Sequence, residues 1–212
     1  MKITIIYDNT AFRKDLQADW GFSALVEVEN GPRILFDTGG NGKILLGNME
    51  KLGIDPSSID EVFISHSHFD HIGGLSDFLN ENDRAKIYIP PSFRGLRGRD
   101  VITIPHPAKI HENIFSTGEL EEIEQSMGVI TAKGIVMIVG CAHPHMGTIL
   151  DTARQFGKIH GIVGGLHGFR DLALFRDLEL LCPVHCTRHK AELKRRYPKK
   201  YIEGGAGKVI EM

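Results

Sequence analysis

The sequence predicts an α/β protein made of two packed β-sheets with helices on the outside. Three observations carry this reading. β-rich runs at Ile3 to Tyr7, Ala24 to Val28 and Arg33 to Phe36 follow one another as an antiparallel meander, with Gly31-Pro32 as the turn of the last pair. Strands and helices then alternate, and strand signals return in the second half, strongest at Gly134 to Val139 (GIVMIV). At 212 residues the chain is most simply one domain, 1–212, with no internal repeat or linker.

Taken in order, Asp37-Thr38-Gly39-Gly40 closes the third strand, and Lys43 to Leu52 has apolar residues at helical spacing before Gly53 stops it. Val62 to Ser65 reads as a strand, Leu75 to Leu79 as helical, and Lys86 to Ile89 as a strand ending in Pro90-Pro91. Ser92 to His106, with three arginines, two glycines and little periodicity, is expected to be a surface loop; Arg94 and Arg97 are its candidates for substrate contact. Helices are expected from Met146 to Phe156 and Asp171 to Leu180, and strands from Ile159 to Val163 and Leu181 to Val184.

Composition narrows the function. A formal charge of −2 offers no global attraction for nucleic acid or membrane. The basic run Lys190 to Lys200 reads as a solvated helix face. No apolar stretch is long enough to span a bilayer, the first residues enter a strand pattern at once, and three cysteines do not suggest a disulfide framework. A cytoplasmic protein acting on a small molecule is expected. Neither a Gly-x-Ser-x-Gly elbow nor a P-loop occurs.

The chemistry is concentrated in histidines at strand ends. His66, His68, Asp70 and His71 follow the Val62 strand directly and precede Gly73-Gly74. His66 and His68 project to the same side of an extended segment and can share one cation, while Asp70 and His71 fall on the next turn and can face a second. Each position needs a further ligand. His143, after the Gly134 strand, suits the first, and His185, after the Leu181 strand, suits the second. His167 also ends a strand, as a ligand or as a group aimed at substrate. His145 is a candidate for substrate contact. Cys141 and Cys186, each beside such a histidine, are expected to alternate away from it and to pack as thiols.

His66-Ser67-His68-Phe69-Asp70-His71 resembles the His-x-His-x-Asp-His hallmark of the metallo-β-lactamase superfamily, and the resemblance runs through Asp37-Thr38-Gly39, His143 and His185 in the family's order. It implies a four-layered αββα sandwich with the metal site at one edge between the two sheets. His66, His68 and His143 would hold one metal, and Asp70, His71 and His185 the other. Asp37 would accept the second ring proton of a ligand histidine. Many members carry a bridging aspartate where this chain reads Gly164-Gly165-Leu166-His167. That departure, with Gly140-Cys141-Ala142-His143 and Pro183-Val184-His185-Cys186-Thr187, resembles the branch around 7,8-dihydropterin-6-methyl-4-(β-ribofuranosyl)aminobenzene-5′-phosphate synthase.

The resemblance implies two divalent ions, with zinc expected and iron or manganese as alternatives. The leading expectation is a metal-dependent hydrolase in which a metal-bound hydroxide attacks a small anionic ester or phosphoester, Asp70 orienting the water and His167 or His145 protonating the leaving group. A pterin-type synthase releasing pyrophosphate is the alternative, and a non-catalytic metal sensor the second. Nuclease action is disfavoured by the balanced charge.

Overall fold

The computed structural model describes residues 1–96 and 100–212. The meander forms β1 (Lys2–Tyr7), β2 (Ser23–Glu27) and β3 (Arg33–Phe36), all antiparallel neighbours. After β3 comes helix α1 (Gly42–Leu52), because Asn41 accepts from the amides of Lys43 and Ile44 at one end and Gly53 turns left-handed at the other. β4 (Glu61–Phe63) leads into the short helix α2 (Phe69–Ile72), and then come α3 (Leu75–Glu81) and β5 (Lys86–Ile89).

The segment from Ser92 to His106 is not wholly a loop. Val101–Thr103 forms β6, the edge strand parallel to β5, since its backbone completes the ladder at Ile87, Tyr88 and Ile89 although its side chains are partly or fully exposed. Exposure on both sides removes the hydrophobic signal by which a strand is read. β7 (Ala108–His111) and β8 (Ile114–Ser116) pair as a hairpin, followed by β9 (Met127–Thr131) and β10 (Gly134–Val139). Helix α4 (Met146–Arg154) leads to β11 (Ile159–Gly165). The helix expected over Asp171 to Leu180 is only a 3-10 turn at Leu172–Phe175, and Leu180 already belongs to β12 (Leu180–Val184). Helix α5 (Lys190–Arg196) and β13 (Val209–Glu211) complete the chain.

Among the described residues the strands form a seven-stranded sheet ordered β13-β1-β2-β3-β4-β5-β6 and a six-stranded sheet ordered β12-β11-β10-β9-β8-β7. The period-two alternation of each strand divides its side chains between two cores. Ile34 and Phe36 of β3 meet Val136 and Ile138 of β10 between the sheets, whereas Leu35 faces outward onto Leu45 and Met49 of α1. On the other side Ile135, Met137 and Val139 of β10 pack against Ile149 and Leu150 of α4. Helices therefore cover both outer faces and the layering is αββα.

β3, β4 and β5 run parallel in the first sheet, as do β10, β11 and β12 in the second. Several parallel strands thus release their carboxyl ends at one edge of the sandwich, where a chain that must turn leaves side chains free to converge. At that edge Asp37, Ala142, His167 and His185 all have positive φ (53°, 56°, 43° and 49°). Such backbone costs about 1–3 kcal/mol per residue and persists only where surrounding bonds enforce it.

Candidate metal centre

His66 is buried at the end of β4, and its ring protons follow from its neighbours. The Ser65 hydroxyl donates its single proton to Asp37 Oδ2 at 2.7 Å, so at 2.9 Å it accepts from His66 Nδ1–H. His66 Nε2 is left as a lone pair, 3.1 Å from His68 Nδ1. His143 closes the trio: its ring centroid is 4.8 Å from that of His66 and 4.6 Å from that of His68. Its Nε2 is buried with no hydrogen-bond partner.

A second donor set lies alongside, with the His66 and His71 ring centroids 4.1 Å apart. Asp37 Oδ2 accepts from His71 Nδ1 at 2.7 Å, which turns His71 Nε2 inward as a lone pair. Asn9 Oδ1 takes the Nδ1 proton of His185 at 2.9 Å. His185 Nε2 lies 3.2 Å from Asp70 Oδ2 but without hydrogen-bond geometry, so this buried nitrogen also has no partner. Asp70 Oδ2 accepts from the Trp20 indole at 2.9 Å.

The supports come from distant parts of the chain. Phe22 N–H binds the carbonyl of Asp70 at 3.1 Å, and Thr38 binds that of His71 through its amide at 2.8 Å and hydroxyl at 3.0 Å. Asp8 accepts the amide of His185 at 2.6 Å. Glu124 is buried and accepts the amides of Cys141, Ala142 and His143 at 2.9, 3.2 and 2.9 Å, fixing the turn that carries His143. Sequence reasoning missed Asp8, Asn9, Trp20, Ser65 and Glu124, since each stands outside the histidine motifs in an ordinary local context. Only Ser65, next to the motif, carried a positional hint.

Electrostatics favour neutral rings and a charged Asp70. Burial lowers His66, His71 and His143 far below the ordinary histidine value, His143 to about 4, and the crowded neighbouring imidazoles add to the effect. Burial also pushes Asp37 up, opposed by the amide and hydroxyl of Ser65. At Asp70 burial raises the carboxyl, but His185 and His71 outweigh it and hold it well below the usual carboxylate range. Imidazoles with inward ring nitrogens, two of them buried without a hydrogen-bond partner, are the donors a divalent cation requires. The residues fit a metal centre.

His167 is exposed, its ring centroid 5.4 Å from that of His143. With His143 and His145 it lines a cleft of about 550 Å³ that also takes in Met146, Phe169 and Leu174. His145 is largely exposed and its Nδ1 lies 3.1 Å from Glu121 Oε1. Arg94 bonds the carbonyls of Pro91 and Phe93 and borders a different depression, beside Ile72 and Leu75. Arg97 lies outside the described residues. The expectation that Cys141 turns away from the histidines is corrected. Its Sγ sits 3.1 Å from His71 Nε2, and a residue two before His143 falls on the same side of an extended segment as that histidine, so alternation does not carry it away.

The model of the metallo-β-lactamase superfamily matches residues 20–153. The chain belongs to this superfamily. Among curated relatives it is 26% identical to the 7,8-dihydropterin-6-methyl-4-(β-D-ribofuranosyl)-aminobenzene-5′-phosphate synthase of Methanocaldococcus jannaschii, across 98% of this chain and 95% of that protein. It is 31% identical to an uncharacterised protein of the same archaeon, across 98% and 99%. The crystal structure of Tm1679, a metal-dependent hydrolase of the β-lactamase superfamily, superposes with a TM-score of 0.82 at 27% identity, covering 100% of this chain and 99% of that one. Human short-form tRNase Z shares the fold at 15% identity and a TM-score of 0.62. These comparisons agree with the αββα layering of this superfamily chain, and no helix among the described residues is long and apolar enough to cross a membrane.

Proposed function

We propose that the chain is a metal-dependent hydrolase of small anionic esters, phosphoesters first. The observation that carries this reading is the pair of adjoining donor sets, His66, His68 and His143 beside Asp70, His71 and His185, opening through His143 onto the cleft. Two divalent cations held there, zinc by the nitrogen-rich donors, would lower the pKa of bound water towards ~7 and offset the charge that develops on the ester.

The chain's own residues do the rest. Asp70, the only carboxylate in the donor sets found among the described residues, would orient the attacking water. His167, on the cleft wall beside His143, is placed to protonate the leaving oxygen. His145 is a second candidate donor, its Nδ1 held by Glu121 so that Nε2 faces outward. Met146, Phe169 and Leu174 give the cleft an apolar side, suited to a small organic group on the ester.

A second reading, a pterin-type synthase releasing pyrophosphate, draws on the name of the Methanocaldococcus relative. Trp20 and Phe69, 59% and 72% exposed, flank Gly40 beside Asp70 and offer faces for a flat heteroaromatic ring. The deciding experiment runs one metal-loaded preparation on two panels. Hydrolysis of phosphomonoesters, phosphodiesters or lactones, abolished by chelation, supports the hydrolase. Pyrophosphate release from a pterin methyl diphosphate, dependent on an aminobenzene ribofuranosyl phosphate and without turnover of simple esters, overturns it in favour of the synthase.

A further inference from the structure

The geometry points to Cys141 as a ligand of the second metal position, a sulfur taking the corner for which this chain has no bridging carboxylate. The inference rests on the metal-centre reading above and adds a residue to it. Asp70 Oδ2, His71 Nε2, Cys141 Sγ and His185 Nε2 all lie within 4.8 Å of one another. Ligand atoms around a tetrahedral zinc stand about 3.5 Å apart, given bonds of ~2.0–2.3 Å, so a small inward adjustment closes the set.

Two observations beyond the thiol itself single out this point. His185 Nε2 is buried without a hydrogen-bond partner, 3.2 Å from Asp70 Oδ2, and faces the same space. His71 Nε2, a lone pair because Asp37 binds the other ring nitrogen, has Cys141 Sγ at 3.1 Å as its near contact. A packed thiol needs neither neighbour. Without Cys141 the position has three protein ligands, and the segment expected to supply a fourth reads Leu166-His167, with Leu166 in the core behind the sheet and His167 exposed.

The backbone is shaped to bring the sulfur in. A side chain at Gly140 would meet Ser65 Oγ at 2.3 Å and Glu124 Oε1 at 3.0 Å, so only glycine lets the turn approach the histidine motif this closely. At Gly165 a Cβ would meet Cys186 Sγ at 2.9 Å and Cys141 Cα at 3.2 Å, so glycine there leaves room for the pair of thiols. Cys186 Sγ lies 3.3 Å from Cys141 Sγ and belongs, with His167, to a separate three-donor grouping that also uses Cys141. The set with Asp70, His71 and His185 is favoured because its nitrogen is orphaned in the interior, whereas His167 is solvated. A thiolate and a carboxylate together neutralise a divalent charge, and sulfur biases the position towards zinc over manganese.

Cobalt(II) substitution tests this directly, because a thiolate bound to cobalt gives an intense near-ultraviolet charge-transfer absorption that nitrogen and oxygen ligands do not. The protein as isolated is stripped, titrated with cobalt under a thiol-free reductant, and compared with Cys141→Ser and Cys186→Ser. The expected result is binding of cobalt with the absorption present in the native chain and in Cys186→Ser and lost in Cys141→Ser. Cobalt binding without the absorption in the native chain overturns the role of Cys141 while leaving the metal centre intact, and does so whether or not the variants fold. Retention in Cys141→Ser, or loss only in Cys186→Ser, assigns the sulfur to the other grouping and also overturns it. No cobalt binding by the native chain removes the metal centre and this inference together.

Discussion

The carboxylate of Asp37 lies 2.7 Å from Nδ1 of His71, with both side chains fully buried. The same Oδ2 accepts the Ser65 hydroxyl, which in turn accepts from His66, so one residue at the end of β3 sets the ring proton in both donor sets. In Asp37→Asn an amide NH₂ can face His71 Nδ1 and drive its proton to Nε2, where a cation must bind. Metal affinity is expected to fall about 10- to 100-fold, as for other partners of ligand histidines. Stability of the metal-free chain should fall by about 1–3 kcal/mol for the mispaired buried donors. Chelator competition and urea unfolding measure the two, and native values in both would refute the orienting role.

Glu124 is expected to matter as much as a ligand, though it would touch no metal. Its carboxylate accepts three successive amides of the His143 turn, a pattern that an amide side chain cannot reproduce because one of its two ends donates. Glu124→Gln should therefore weaken the position built on His66, His68 and His143 by about 10-fold or more. Metal content by elemental mass spectrometry after dialysis checks it. Full retention of metal would mean that the turn holds its shape without the carboxylate.

These two residues mark the limit of what the sequence disclosed. The histidine motif could be read because six residues concentrate a rare chemistry directly after a strand, and Asp37 because the superfamily's order places it. Glu124 sits among acidic residues in Glu119 to Gln125, and only the tertiary fold shows that one of them is buried under the metal turn. The layering was legible from strand and helix alternation, whereas β6 and the failed helix after Asp171 were not. β6 exists by backbone pairing at a sheet edge, and the apolar residues of 171–180 serve a 3-10 turn packed on the sheet rather than a full helical face. Cys141 was misjudged because it stands two residues from His143, a spacing that puts both on one side of an extended segment rather than on opposite sides.

The metal-free chain is expected to lose stability on acidification. Burial lowers His66, His71 and His143, the last to about 4, from an unfolded value of 6.5. Below about 6.5 the unfolded chain thus binds protons that the folded chain refuses, and stability present above that pH is lost as pH falls towards 4. Glu124, raised by burial from 4.5 to about 7, and Asp37, likewise raised by burial, work in the opposite direction, two protons against three. The urea midpoint of chelator-treated protein should be lower near pH 5 than near pH 7.5. An equal or higher midpoint near pH 5 would exclude three buried neutral imidazoles.

His167 separates catalysis from ligation. It stands exposed on the cleft wall, its ring 5.4 Å from that of His143, with its backbone held by the Arg188 amide at 2.9 Å and a φ of 43°. A residue kept in so unfavourable a backbone conformation while its side chain stays solvated is positioned for something outside the protein. As a general acid it contributes about 10²- to 10⁴-fold to cleavage of an ester with a poor leaving group. It contributes little where the leaving group needs no proton. His167→Gln is therefore expected to depress kcat far more on a phenyl ester than on the matching p-nitrophenyl ester, with metal content unchanged. Equal losses on both esters, accompanied by lost metal, would instead make His167 a ligand, and equal losses with full metal would leave it a role in binding substrate rather than in moving a proton.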